Sequence, residues 1–338
     1  MKTERTMMSI VGLGMAWLAL GAKVQAARSP GVSGRARRVV RVVVAPNGSG
    51  NFTAIQEAVD HAPVEGSGRL IIEIQPGVYH ERVIIPQDRP RVTLVGLGKR
   101  PQDTVITYNM SAKAAGGTFF SSTVEINGVA FHARNVTFEN SYGPGSQAVA
   151  LAIHSDRAVF RHCRFIGYQD TLFAAMGRQF YYKCTIEGAV DFIFGNARAV
   201  FDRCLIRSVG PGYITAQSRR RPQGQGGYVF YHCRLTGSHT AAKVFLGRPW
   251  RRYARVVYID CWMGPQIRPA GWNNWNSVGK EKTAWYAEYG SFGPGAHPRK
   301  RVPWAHQLTR QQARHFFPQT FLRGKDGWNP LAVQNHHP

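Results

Sequence analysis

Five cysteines, Cys163, Cys184, Cys204, Cys233 and Cys261, recur at sequence spacings of 21, 20, 29 and 28, each inside the same local pattern. An aromatic residue (Phe160, Tyr181, Phe201, Phe230, Tyr258) stands three positions before each cysteine, and an apolar one usually stands two positions after it. A repeat of about 20–30 residues is the length of one unit in a stacked chain, where no unit buries its apolar face alone. A second series of apolar segments runs between the first: QAVALAI (147–153), QDTLFA (169–174), VDFIFG (190–195), YITAQS (213–218) and VFLGRPW (244–250). Two strand series interleaved at one period, with Gly188, Gly210, Gly212 and Gly237 between them, predict an all-β chain wound as a right-handed parallel β-helix. Helical signals are confined to the ends. Residues 52–61 read as a short amphipathic helix capping the first coil and covering its open sheet edge. From Lys280 onward loops predominate, with 308–317 a helix along the outside.

Positions one period apart become neighbours on adjacent strands, about 4.8 Å apart. Asp170 and Asp191 are separated by one such period and Gln147 precedes the first by a similar step, so the three are expected to form a ladder on one face. A row of polar residues on a solvated face would be the plain explanation. It does not account for an aspartate among Phe192, Ile193 and Phe194, since aspartate is depleted from strand interiors. Two carboxylates at that spacing repel, which separates their proton affinities and leaves one protonated beside one ionised, an arrangement suited to hydrolysis. Arg248, between Gly247 and Pro249, ends a strand of the same series. Its charge is expected to lower the pKa of Asp191, leaving Asp170 as the protonated partner. Tyr168, Phe194, Trp250 and Trp272 are expected to line a groove around the pair, with Met263 close by; Phe192 and Phe194 share strand parity.

Six segments, PGVYHE (76–81), QAVAL (147–151), GYQDTL (167–172), DFIFG (191–195), LGRPW (246–250) and PAGWNNW (269–275), closely resemble the signature segments of plant pectin methylesterases. The resemblance runs over residues 42–322 in the expected order. It implies hydrolysis of the methyl esters of homogalacturonan, with pectin as the substrate. Asp191 matches the nucleophile that forms an acyl-enzyme, and Asp170 the acid that protonates methanol and then activates water. Gln147 and Gln169 match the amides that stabilise the oxyanion. Arg248 matches the guanidinium that aims the nucleophile, while Trp250 and, in GGTFFSS (116–122), Thr118 match substrate contacts. Tyr79 and Glu81 read instead as structure at the opening of a coil. A proteinaceous pectin methylesterase inhibitor is a further implied partner. Two other classes stay open: a catalytically silent pectin-binding wall protein, and a β-helix glycosidase or polysaccharide acetylesterase. The paired glutamines favour acyl transfer, because a glycosidase passes through a positively charged sugar and has no use for oxyanion donors.

A net charge of +24 calls for a polyanionic surrounding. De-esterified pectin is one; nucleic acid is the other, through basic clusters at 35–41, 219–221, 251–252 and 298–301, but no nucleic-acid-binding motif accompanies them. Residues 1–26 read as a secretory signal peptide, with Lys2 and Arg5, an apolar stretch to Ala22, and a small-residue cleavage signal ending at Ala26. A basic linker (27–41), the catalytic domain (42–322) and a tail (323–338) would follow, the last eight residues disordered. The chain reads as the short form expected to lack an inhibitor-like pro-region. The expected product is a secreted cell-wall monomer, with no nucleic-acid partner and no membrane contact after cleavage. No metal or organic cofactor is expected, because the 12 histidines and 19 acidic residues show no ligand spacing. The cysteines read as a stack of buried thiols, with disulfides between adjacent coils left open. Sequons occur at Asn47, Asn51, Asn109 and Asn135.

Overall fold

Each repeat of the aromatic and cysteine pattern turns one corner of a coil. The residue just before the cysteine, namely His162, Lys183, Arg203, His232 or Asp260, takes a left-handed conformation with φ between 49° and 55°. That single reversal swings the chain from one parallel sheet into the next. The preceding aromatic is thereby buried at the end of one strand, and the cysteine at the start of the following one. Successive aromatics are register partners, so their rings stack: Phe160 on Tyr181, Tyr181 on Phe201, Phe201 on Phe230, Phe230 on Tyr258. The centroid separations are 4.9, 4.6, 4.6 and 4.4 Å. The cysteines form a second column; all five are free and buried. Each of the last four points its thiol at the carbonyl of the previous coil's aromatic, as Cys233 does toward Phe201 O at 3.1 Å.

The computed structural model describes residues 39–61, 68–238 and 243–332. The signal segment and most of the basic linker lie outside them. Every strand pairing is parallel, and the coils close into a right-handed parallel β-helix. Among the described residues, one sheet has eleven strands, from Val39–Val44 to His306–Gln307. The other has thirteen and covers two faces, because Thr185–Gly195 and Leu205–Gln217 run round the corner between them. No helix among the described residues is long and apolar enough to cross a membrane.

The first coil is capped by the helix Ile55–His61, which buries Ile55, Ala58 and Val59. Its leading amides, on Ile55 and Gln56, both donate to the Glu81 carboxylate at 2.9 Å. Tyr79, buried two positions before Glu81, donates its hydroxyl to Gln75 O at 2.9 Å, so PGVYHE is structural as expected. Glu81→Ala should cost about 1 kcal/mol, the usual magnitude for losing an N-terminal cap, read as a lowered urea midpoint.

The C-terminal region departs from the expected single helix over 308–317. It makes three short turns instead, Arg310–Ala313, Arg314–Phe316 and Pro318–Phe321. Pro318 forces Phe317 out of helical geometry, to φ −61° and ψ 145°. These turns lay Phe316, Phe317, Phe321 and Leu322 over the outer face of the eleven-stranded sheet, against Val159, Phe180, Val200, Val229 and Val257. Trp328 and Leu331 join the same cluster, so packed chain extends past the expected tail boundary at 323. Residues 333–338 lie outside the described residues. At the other end, the first strand begins at Val39, within the expected linker. Of the sequons, Asn135 is tied into a corner, its amide donating to Gly96 O and Gly98 O, whereas Asn47 is exposed.

Candidate active site

Leu172 pairs with Ile193, and a bridge joins Gln169 to Val190; the two pairs have the same offset in sequence, which is also that between Asp170 and Asp191. The aspartates therefore stand side by side, about one strand spacing (~4.8 Å) apart. Asp170 N donates to Val190 O at 3.0 Å, fixing that register from the backbone. Both aspartates are left-handed, at φ 61° and 50°, a conformation aspartate tolerates better than the β-formers around it. This is the local reason for an aspartate inside the strand Thr185–Gly195 and another in the bend just before Leu172–Ala174.

Gln147 is not a third rung. Ala148 N donates to Gln169 O at 3.0 Å and Ala150 N to Thr171 O at 2.8 Å, a pairing offset one residue longer than that of Leu151 with Leu172, so Gln147 falls beside Gln169 and Ala148 is in line with Asp170. Gln147 O accepts from Ala112 N at 2.7 Å, which ties the loop carrying Thr118 to this coil. Among the described residues, the side-chain amides of Gln147 and Gln169 donate to no group of the chain, and both are partly exposed.

Asp191 is 5% exposed, and both of its carboxylate oxygens accept from Arg248, Nε at 2.9 Å and Nη2 at 2.6 Å. The guanidinium is held between two rings, 3.9 Å from Tyr213 and 3.8 Å from Trp275. Gly247, just before Arg248, lets its strand lie close against the neighbouring one, since a Cβ there would meet Thr215 Oγ1 at 2.0 Å. Burial pushes the Asp191 carboxyl above its ordinary value, with Arg248 pulling it back. The expected lowering of Asp191 is thus outweighed by desolvation. Asp170 is raised well above the carboxylate range, first by burial and then by the charge on Asp191. It forms no ion pair among the described residues, so Asp191 is the more acidic of the two.

An aromatic strip runs beside the pair. Ala152, Phe173, Phe194, Ala216 and Arg248 occupy one outward-facing column. Phe119 stacks on Phe173 at 4.9 Å, Phe173 on Phe194 at 4.6 Å, and Trp250 lies 6.1 Å from Phe194. Thr118 immediately precedes Phe119, and the Tyr168 hydroxyl lies over Gly210. Two expected groove residues are elsewhere. Trp272 bridges Gly247 on the inward side, 1% exposed and packed on Tyr258 and Tyr286. Met263 pairs with Leu235 on another face and is fully buried. Phe192 and Phe194 also differ in facing, because register shifts between Gly188 and Ile193 break the alternation. Phe192 belongs to the central core and Phe194 to the strip. Tyr213, Trp275, Phe119 and Phe173 went unread in the sequence; of these, Phe173 carried a signal, since it precedes Phe194 by the same step that separates the two aspartates.

The pectinesterase family profile matches residues 41–325. Pectinesterase 31 of Arabidopsis thaliana is 40% identical over 296 residues, covering 84% of this chain and 92% of that protein. An Arabidopsis thaliana protein named probable pectinesterase/pectinesterase inhibitor 35 is 42% identical over 297 residues, covering 85% of this chain and 55% of its own length. Among solved structures, the pectin methylesterase from carrot superposes with a TM-score of 0.82 at 35% identity, over 88% of this chain and 97% of its own. Fold, register and sequence agree, and the chain belongs to the pectinesterase family.

Proposed function

We propose that the methyl esters of homogalacturonan are hydrolysed at the Asp170 and Asp191 pair, with Asp191 as nucleophile and Asp170 as acid and base. The observation carrying this reading is the asymmetry of the pair: one carboxylate aimed by a two-point contact with Arg248, its neighbour unpaired and driven toward its protonated form. An Asp191 oxygen attacks the ester carbonyl, and the N–H groups of Gln147 and Gln169 donate to the resulting oxyanion. As the C–O bond to the methoxyl breaks, Asp170 gives its proton to the departing oxygen and methanol leaves. Asp170, now ionised, takes a proton from water, whose oxygen attacks the acyl-enzyme carbonyl. Asp191 departs as carboxylate, and Asp170 is again protonated. The outer aromatic strip offers ring faces for successive sugars, with Phe194, Trp250 and Tyr168 nearest the pair and Thr118 at its edge.

Highly methylated pectin supplies the test. Methanol and acid should appear in equal amounts, with no fall in chain length. Chain shortening would indicate a glycosidase, acetate release an acetylesterase, and neither product a silent binding protein. The rate should climb as pH rises through the Asp191 value and fall above that of Asp170. Because burial raises both, that window lies above the ordinary carboxylate range, about pH 4.

Secretion to the cell wall is supported by the leader-like residues 1–26 and by a net charge of +24, which suits an acidic polysaccharide. A separate proteinaceous inhibitor as partner is supported by the Arabidopsis relative whose name joins pectinesterase to pectinesterase inhibitor.

A further inference from the structure

Where the strip's strands turn into the eleven-stranded sheet, the surface opens into a cleft of about 1100 Å³. Met176, three positions beyond Phe173, and Asn196, two beyond Phe194, form its near rim. Arg178, Arg198, Arg323 and Lys325 supply positive charge, and Asp156 and Asp326 negative. The two carboxylates are already matched. Arg178 bonds Asp156 at 2.6 Å and Asp326 at 2.7 Å, and Arg157 approaches the same pair at 3.7 and 3.6 Å. Arg198, Arg323 and Lys325 form no ion pair among the described residues. Arg198 donates to the Gln225 side chain at 3.4 Å and stands over the Phe321 ring at 5.4 Å, with no carboxylate bonded to it among the described residues. Arg255 brings a further cation behind the cleft, held by Gln225 O and Gly226 O at 2.8 Å. Burial and the neighbouring arginines pull its pKa down to about 10, the mark of positive charge crowded without a counter-ion.

We propose that this cleft is a second polysaccharide site, which holds the free carboxylates of de-esterified galacturonan. It rests on the substrate reading above, because hydrolysis at Asp191 creates the charge that the cleft lacks. A methyl ester presents no anion to these groups, so the cleft distinguishes product from substrate. Arg198 and Arg323 suit carboxylates through paired N–H donors, and Lys325 adds a point charge. The exposed face of Met176 bridges the distance between strip and cleft.

Calorimetric titration of full-length Asp191→Asn protein at low ionic strength tests the assignment, using an unmethylated and a fully methylated galacturonate decamer. Adding Arg323→Gln with Lys325→Gln should weaken binding of the unmethylated decamer about tenfold, the scale of losing two charge-assisted contacts, and leave the methylated one unchanged. Arg198→Gln should do the same from the other wall. Removing equal charge outside the cleft, by Arg299→Gln with Lys300→Gln, should change affinity less than twofold. Equal weakening by both double variants would reduce the effect to net charge and overturn the site; so would retention of full affinity by the cleft variants. In the otherwise wild-type chain, the cleft variants should release methanol at the parental rate, so failure of this site and failure of the esterase reading are separable.

Discussion

Asp191→Asn and Asp170→Asn are each expected to lose roughly 10⁴-fold or more in kcat on methylated pectin while remaining folded. Asparagine is the informative replacement because it, like aspartate, accepts the left-handed backbone found at both positions, where alanine would add strain. The two variants should then part company in stability. A carboxyl whose folded-state pKa is raised stabilises the fold below its unfolded value, near pH 4, and loses that contribution as pH rises through the folded value. Asp170, raised and without an ion-pair partner, is in that position at neutral pH. Asp170→Asn should therefore melt at a higher temperature than the parent at pH 7 and gain nothing at pH 3. Asp191→Asn leaves the Arg248 guanidinium facing an amide and should be the less stable of the two. Methanol release and thermal midpoints, measured together at both pH values, check the whole scheme. Near-parental turnover in either variant would remove that residue from the chemistry.

The coil was legible because each turn repeats an aromatic and a cysteine, and stacking makes chemical repetition a condition of packing. The carboxylate pair was legible for a narrower reason: its spacing equals the local register, the same offset that sets Leu172 opposite Ile193. Gln147 shows how narrow, since the register slips by one residue before Leu151 and leaves Ala148, not Gln147, in line with the pair. Which side of a strand a residue faces was less visible. Alternation has to be counted from a known inward residue, and the irregularity after Gly188 resets the count, sending Phe192 inward and Phe194 outward. Trp272 was misplaced for a related reason, because its inward position is set by the bridge to Gly247 on the neighbouring coil. The ring pair around Arg248 left no periodic trace. Trp275 stands in an irregular loop with left-handed backbone at positions 275 and 276, reached only once the coil has closed.

Phe201→Ala should be among the most damaging single changes to stability, at about 3–5 kcal/mol, the range for deleting a buried aromatic. Phe201 is fully buried at the middle of the aromatic column, 4.6 Å from Tyr181 on one side and 4.6 Å from Phe230 on the other. Tyr228 adds an edge contact at 6.1 Å. The cavity left by alanine cannot close by moving the flanking rings together, because their coils are held about 4.8 Å apart by an unbroken backbone ladder on the eleven-stranded sheet. Lost dispersion contacts and residual void therefore add rather than compensate. Phe119→Ala is the matched contrast: the same atoms are removed from a ring that is 48% exposed and stacked on one side only. Its destabilisation should stay near or below about 1 kcal/mol, its effect appearing instead in KM for pectin. Urea unfolding of both variants, followed by tryptophan fluorescence and by circular dichroism, separates the cases. If Phe201→Ala unfolds at the midpoint of Phe119→Ala, the stacked column does not hold the coils together, and the backbone ladders alone must carry the solenoid.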